Sequence, residues 1–347
     1  RTPLADYKAQ NRGGMGSKGG SSRDADFIEY IYTASMHNTM LFFTQRGRCY
    51  WLKVYEIPEG NKTSKGRAIQ NLLTLASDDK VTAFIRIEQL QDAEFNNSHY
   101  LLFCTKQGVV KKTLLEAYSR PRQNGVNAIT IRENDSVIQV LLTDGTNEVL
   151  LANRNGRAIR FNESKVREMG RTATGVRGML LDEDGQAEVV GMIVVNPQEP
   201  DNVMVVSENG YGKRSELEDY RVTNRGGKGV KTLQITEKTG KLVAILKVND
   251  DNDLMIINKS GITIRFDASS LRVMGRATQG VRLINLEKQG EEIASVCVVE
   301  HDNEEETVAV DSEALAEAQA EFEKAGEQVE EIIEEEEIID DDTEVQE

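Results

Sequence analysis

The sequence predicts an all-β, propeller-like protein on two observations. A unit of about fifty residues recurs five times, each copy with an apolar strand, a glycine turn, a second strand, a basic loop and a closing glycine. The turn glycines are Gly47, Gly108, Gly156, Gly210 and Gly261, and the closing glycines are Gly66, Gly125, Gly175, Gly229 and Gly280. The gaps within each pair are 19, 17, 19, 19 and 19 residues. Repeats of this length specify a propeller, a solenoid or an array. The second observation is strand arithmetic: four short strands fit each unit, the content of one propeller blade. Only five prolines interrupt 347 residues, in keeping with sustained strand pairing.

Gly16 closes a loop of the same kind. Its partner turn glycine would fall before Arg1, and the chain does not begin with Met. The expectation is therefore five whole units plus the end of a sixth, with the first blade truncated at its N-terminus.

The third copy shows the elements in order. Val149-Leu150-Leu151-Ala152 is short and apolar, as a buried strand is. Asn153-Arg154-Asn155-Gly156 is a hairpin turn, because Asn and Gly tolerate the positive φ it needs. Arg157-Ala158-Ile159-Arg160-Phe161 alternates, which predicts a strand with one wet face. Residues 162–174 form a basic loop with Arg167 and Arg171. Gly175-Val176 then starts a strand over Arg177-Gly178-Met179-Leu180-Leu181, and Val189–Val195 completes the unit. The second, fourth and fifth copies open on Leu101–Cys104, Val203–Val206 and Leu254–Ile257. The first copy has the longest spacer, which reads as lengthened surface loops at Ser77–Lys80 and Asn96–Ser98.

Charge divides the chain at residue 300. Residues 301–347 hold 21 Asp/Glu and one Lys, whereas residues 1–300 hold 41 basic and 37 acidic groups. The domains are thus a β-body over 1–300 and an acidic tail over 301–347. An acidic tail on a mildly basic body suits nucleic-acid binding under self-restraint, and it equally suits a solubilising extension. The tail is too acidic to bury a core and is expected to be largely disordered. Leu315, Phe322, Val329 and Ile333, spaced 7, 7 and 4, allow a short amphipathic helix there or only a transient, solvated one.

Cys49, Cys104 and Cys297 are odd in number, far apart and set in apolar runs, which reads as reduced, buried thiols. No apolar run reaches the eighteen or so residues of a membrane span. The histidines His37, His99 and His301 do not cluster. No metal set, nucleophile elbow or Walker arrangement is visible, so the enzyme reading is the weakest for this stretch.

Two registers of basic residues repeat. Four residues after the turn glycine stand Lys112, Arg160, Arg214 and Arg265, with Trp51 in the first copy, where core packing is the expectation. Four residues before the closing glycine stand Arg12, Lys62, Arg171, Arg225 and Arg276, with Pro121 in the second copy flanked by Arg120 and Arg122. Equal offsets occupy equal places on successive blades, so these cations are expected to form a belt around the rim. A belt of this kind suits a polyanion bent around the body and held by phosphate contacts that read no sequence. A single such Arg would be read as a solvated charge or an intra-blade ion pair. Few aromatics are interleaved, which favours duplex over stacked single strands.

The loop Gln10-Asn11-Arg12-Gly13-Gly14-Met15-Gly16, followed by Ser17-Lys18, has an echo in Asn224-Arg225-Gly226-Gly227-Lys228-Gly229. Paired glycines let backbone amides approach a phosphate while Arg and Lys supply charge. On these residues the chain resembles the C-terminal domain family of DNA gyrase A subunits over essentially its whole length. That family carries a Gln-basic-Arg-Gly-Gly-basic-Gly heptapeptide. Residues 10–16 match it with Asn11 and Met15 in place of basic residues. Gly47-Arg48 with Lys53-Val54-Tyr55, Met169-Gly170-Arg171-Thr172 and Asn209-Gly210-Tyr211-Gly212-Lys213-Arg214 extend the resemblance.

The resemblance implies a six-bladed β-pinwheel whose blades swap strands. It implies wrapping of duplex DNA around the rim in service of ATP-driven negative supercoiling. It also implies a DNA-binding set of Gln10, Arg12, Gly13, Gly14, Gly16, Lys18, Lys62, Lys112, Arg120, Arg122, Arg160, Arg171, Arg214, Arg225, Lys228, Arg265 and Arg276. The implied partners are duplex DNA, the gyrase B subunit and the gyrase A breakage-reunion core, joined in an A2B2 holoenzyme in the bacterial cytoplasm at the nucleoid. This stretch itself is non-catalytic and takes no cofactor. ATP and Mg2+ belong to the holoenzyme, a type II topoisomerase. Two alternatives stay open: the C-terminal domain of the topoisomerase IV counterpart, and a protein-interaction propeller without DNA.

Overall fold

The computed structural model describes residues 1–6, 17–18, 32–61, 64–182, 187–199, 201–286 and 292–300. Within them the chain forms five antiparallel four-stranded sheets, numbered here by the repeat that supplies their two middle strands. Sheet 3 reads outward from the centre as Val189–Val195, Glu148–Asn153, Arg157–Asn162 and Val230–Lys231. The other innermost strands are Val81–Ile87, Val137–Thr143, Leu242–Val248 and Ile293–Glu300. Together the five line a central channel of about 740 Å³. Residues 301–347 lie outside the described residues, and with them the tail expectation.

Of the two middle strands, the one before each turn glycine is apolar through its centre because both of its faces are buried. Leu101 and Phe103 point toward sheet 1 and share a core with Leu41 and Phe43. Leu102 and Cys104, one residue out of phase, point the other way and share a core with Leu151 and Phe161 of sheet 3. The period-2 pleat thus feeds two cores from one strand. Cys49 and Cys104 are fully buried free thiols, while Cys297 is half-buried on an innermost strand.

The outermost strand of each sheet is lent by the following repeat. Val126–Asn127 pairs with Arg48–Cys49, Val176–Arg177 with Val109–Val110, Val230–Lys231 with Arg157–Ala158, and Val281–Arg282 with Tyr211–Gly212. The same role in sheet 5 falls to Ser17–Lys18, which pairs with Ile262–Thr263. The segment that the repeat count assigns to a sixth unit therefore completes the fifth sheet. Five sheets stand among the described residues, not six.

The swap explains the glycines. Gly156 turns at φ +72°, and its carbonyl accepts from the Thr232 amide at 2.8 Å. Gly229 also has φ +72°, and a Cβ there would lie 2.2 Å from the Ala158 carbonyl oxygen. The glycines that meet in space are thus Gly156 and the loop of Gly229, from consecutive repeats, rather than Gly156 and Gly175.

Three local expectations change. Only Val176–Arg177 is strand in the stretch read as continuing to Leu181. Asn96–Ser98 is not a loop but the end of a short helix, Ala93–Ser98, capped by Asp92, with Asn96 buried and donating to the Leu90 carbonyl at 2.8 Å. Arg157–Asn162 has no wet face, since Ala158, Ile159, Arg160 and Phe161 are all buried.

Candidate nucleic-acid interface

The first basic register is inside the protein. Lys112, Arg160, Arg214 and Arg265 are 7%, 8%, 7% and 5% exposed. Arg160 Nη2 stands 2.5 Å from Glu148 Oε2, and its Nη1 donates to the carbonyls of Leu217 at 2.7 Å and Tyr220 at 3.0 Å. Arg265 pairs with Asp253 at 2.7 Å, and Arg214 with Asp250 at 2.5 Å. Lys112 lies over the Tyr100 ring, 5.2 Å from its centroid, and donates to the Glu163 carbonyl at 3.3 Å. This corrects the belt reading for these four: their charge is spent on the neighbouring repeat and on partners within the blade. A signal for it was present in the sequence, since Tyr100, Glu148 and Asp253 each stand twelve residues before their partner. Trp51 matches its expectation of core packing; it is half-buried against the first core and donates from Nε1 to Tyr118.

The second register lies at the surface. Arg171, Arg225 and Arg276 are half-exposed on the loops that cross to the previous sheet, and Arg120 and Arg122 are exposed. Arg225 donates from Nε to the Lys165 carbonyl and from Nη1 to the Arg177 carbonyl, both at 2.9 Å. Arg276 donates from Nη1 to the Lys231 carbonyl at 2.7 Å. Arg177 and Lys231 each stand two residues after a closing glycine, so both arginines clasp the swapped strand of the preceding repeat. A guanidinium carries five N–H donors. The two bonds of Arg225 and the one of Arg276 fix each head without using all of them.

Lys228 is exposed and pairs with Asp182 at 3.1 Å. Its loop is stapled to the previous repeat, with Gly226 N–H donating to Gly178 at 2.6 Å and Leu180 N–H to Gly227 at 2.9 Å. Lys18 sits in the swapped strand of sheet 5, opposite Ile262. Gln10, Arg12, Gly13, Gly14, Gly16 and Lys62 lie outside the described residues.

Counting from the closing glycine recovers further cations that the two registers missed. Two residues after it stand Arg177, Lys231 and Arg282; eight before it stand Arg167, Arg221 and Arg272. Of these, Arg282 is half-buried, with Nη2 donating to the Tyr211 hydroxyl at 3.0 Å, and the other five are exposed. Their spacing was legible in the sequence.

Two buried lysines lie beneath the rim. Lys111 Nζ donates to the carbonyls of Ala128 and Arg171, the latter at 2.7 Å. Lys213 Nζ donates to the Gly275 carbonyl at 2.6 Å and to Thr278 Oγ1 at 3.2 Å. Burial, reinforced by the Arg171 guanidinium, pushes Lys111 down to about 7. Burial likewise lowers Lys213 to about 8, against the pull of Asp219 and with a further push from Arg276. Among the described residues no group of His, Cys, Asp and Glu is arranged to hold a metal ion. The arrangement offers fixed surface cations on a stiff β-scaffold.

The sequence matches the family described as DNA gyrase C-terminal domain, beta-propeller, in six segments: residues 1–34, 38–88, 99–144, 147–196, 201–249 and 252–300. It is 44% identical over 307 residues to the DNA gyrase A protein of Staphylococcus aureus strain NCTC 8325 / PS 47, covering 88% of this chain and 34% of that protein. The same gyrase protein from strain MRSA252 is 44% identical over 306 residues, again with 88% and 34% covered. The chain thus spans about a third of the length of these curated relatives. Its fold is similar to a solved DNA gyrase A C-terminal domain, with TM-score 0.75, 24% identity and coverage of 85% of this chain and 94% of that one. It is also similar to the solved C-terminal domain of a DNA topoisomerase IV, with TM-score 0.66, 26% identity and coverage of 90% and 94%. The chain belongs to the DNA gyrase C-terminal domain family.

Proposed function

We propose that this chain wraps duplex DNA, without regard to sequence, around the cationic rim of its ring of sheets. The observation that carries this is the clasp of Arg225 and Arg276 on the swapped strands of consecutive repeats. Guanidinium groups held at equal places around a ring, with N–H donors to spare, form a pre-set path for phosphates. Fixing the heads in advance lowers the ordering cost of binding. Phosphate contacts position a duplex without reading its bases.

In the whole protein the wrap presents a crossed DNA segment to the strand-passage core, giving gyrase its chiral wrap and negative supercoiling. On this reading the ring is a six-bladed pinwheel, supported by the six matched segments, and residues 301–347 are an acidic tail. The holoenzyme partners are the breakage-reunion core and the gyrase B subunit in an A2B2 complex, with ATP and Mg2+ used there and not by this stretch. The setting is the bacterial cytoplasm; among the described residues no helix is long and apolar enough to cross a membrane.

Topoisomerase IV is the second reading, favoured by the 26% identity to the solved C-terminal domain. The test is a topoisomer-shift assay, with protein bound to nicked plasmid that is then ligated. A unidirectional shift in linking number supports chiral wrapping. Binding without a shift leaves duplex contact without chiral wrapping, and no duplex binding at low salt leaves only an interaction propeller.

A further inference from the structure

Lys111 and Lys213 hold the same place, three residues after the turn glycines Gly108 and Gly210. Both are 0% exposed. Each reaches up into the rim loop of the following repeat. One acceptor is the carbonyl of Arg171 itself, and another is the carbonyl of Gly275, the residue before Arg276. The same place in the other hairpins is held by Tyr50, Ile159 and Ile264. Ile159 has no donor to offer the loop above it. There the structure leaves a cavity of about 270 Å³, bounded by Ile159, Arg221, Asn224 and Lys228. A lysine reaches into the loops over sheets 2 and 4, and an isoleucine underlies the loop over sheet 3.

We propose that Lys111 and Lys213 are positioning residues for the rim: their Nζ groups tie down from beneath the loops that carry Arg171 and Arg276, while the loop of Arg225 over Ile159 has no such tie from beneath. The proposal rests on the wrapping reading above. A buried ammonium that bonds carbonyls gives them strong, charge-assisted hydrogen bonds. Here burial costs the charge more than those bonds return, so in the closed loop each lysine favours the neutral amine, which still donates to the carbonyls.

The surroundings set when that happens. Lys111 faces Arg171, with Cys49 and Tyr118 the other titratable groups of the site. Lys213 faces Asp219, Arg276 and Tyr220. Burial raises Cys49, Tyr118 and Tyr220, so all three stay neutral through mildly alkaline pH. Lys111 at about 7 and Lys213 at about 8 lose their protons while the loops are closed, whereas opening a loop returns its lysine to water and to the ordinary, higher lysine range. Opening therefore takes up a proton, so the rim loops over sheets 2 and 4 tighten between about pH 6 and about pH 9, and the loop over Ile159 does not change.

Hydrogen exchange on the 347-residue chain tests this, at about pH 6 and about pH 9 with intrinsic rates divided out. The reporters are the Ala173 amide, which donates to Gly170, and the Thr278 amide, which donates to Gly275. Both should gain protection several-fold at the higher pH, while residues 223–229 stay level. Lys213→Met should erase the step at Thr278 and leave Ala173 as before. Lys213→Arg, charged throughout, should also lose the step at Thr278. Affinity for a short duplex at low salt, measured alongside, should rise over the same range in the wild type and less in Lys213→Arg. Equal protection of all three loops at both pH values overturns the proposal, as does a Lys213→Met chain that keeps the wild-type step. Loops that respond in a chain that binds no duplex instead overturn the wrapping reading on which the proposal stands.

Discussion

Trp51 and Arg160 hold the same place in their hairpins and donate to the same acceptor. Trp51 Nε1 donates to the Tyr118 carbonyl and Arg160 Nη1 to the Tyr220 carbonyl, each at 3.0 Å. Those tyrosines are in turn equivalent. Both are fully buried at the end of a 3-10 turn, with hydroxyls bonded to Ala128 at 3.1 Å and Thr232 at 2.6 Å, each three residues past a closing glycine. The position therefore needs an N–H that reaches into the next repeat, and a positive charge is one way of supplying it. The break at Trp51 in the first basic register is a substitution of one donor for another.

From this it follows that Arg160 serves stability. Arg160→Met strands the Glu148 carboxylate, which is 8% exposed, and leaves two carbonyls without their donor. Breaking a buried ion pair by removing one partner costs about 3–5 kcal/mol. Urea unfolding should show that loss, while the affinity of the still-folded protein for duplex DNA should be unchanged. A variant of wild-type stability with weakened DNA binding would return Arg160 to the rim.

Gly229→Ala tests the strand swap. The new Cβ would stand 2.2 Å from the Ala158 carbonyl oxygen at a backbone φ of +72°. Left-handed backbone alone costs a non-glycine residue about 1–3 kcal/mol, and the overlap adds to it. Chemical denaturation should give at least that loss. Gly170→Ala, which meets nothing within 4 Å, is the control and should be close to neutral.

Arg167→Ala, Arg221→Ala and Arg272→Ala, combined, test the register eight residues before the closing glycine. All three side chains are exposed. Wild-type affinity for duplex should fall roughly 10³–10⁵-fold between 50 and 200 mM salt if six to ten phosphates are neutralised. Each phosphate interaction removed should reduce the salt slope by about 0.9, so the triple variant should lose roughly two to three. A thermal melt within a few degrees of wild type would show that the change lies at the surface. An unaltered slope would exclude this register from the DNA path.

Arg12→Ala and Arg225→Ala separate the heptapeptide from its echo. One contact among many changes affinity modestly, while the path of the DNA depends on where that contact sits. Arg12→Ala should reduce the topoisomer shift more than it reduces affinity, and more than Arg225→Ala does. If Arg225→Ala has the larger effect on the shift, the echo governs the wrap.

Deleting residues 302–347 removes 21 acidic groups and one Lys. A tethered polyanion competes with DNA at an effective concentration of roughly millimolar. Salt screens that competition, since the Debye length is about 10 Å at 0.1 M. The truncated protein should bind duplex more tightly, most of all at low salt. Equal binding at every salt concentration would leave the tail as a solubilising extension.

Much of this protein is legible in its sequence. The glycine pairs mark the hairpins, because a turn at positive φ and a closing residue set against a neighbouring carbonyl both exclude a side chain. The apolar runs Leu101–Cys104 and Val149–Ala152 mark strands buried on both faces. The basic loops before Gly175, Gly229 and Gly280 mark the rim, and simple counting from those glycines also finds Arg177, Lys231, Arg167, Arg221 and Arg272. All of these are local: a turn, a run or an offset states what its own backbone requires.

Tertiary structure alone decided which cations face solvent. Equal spacing places Lys112, Arg160, Arg214 and Arg265 at equal positions, but whether such a position is wet depends on the repeat that follows. Arg160 is covered by Leu217 and Tyr220, 57 and 60 residues away. The swap that brings them there joins Val230–Lys231 to Arg157–Ala158, a pairing between repeats that no within-repeat spacing records. The sequence by itself determined the repeat, the strands and the basic character of the rim loops, since each is set by neighbours along the chain. The burial of one basic register and the exposure of the other were settled by tertiary contacts, between repeats for Arg160 and with the acid on the paired strand for Arg160 and Arg265.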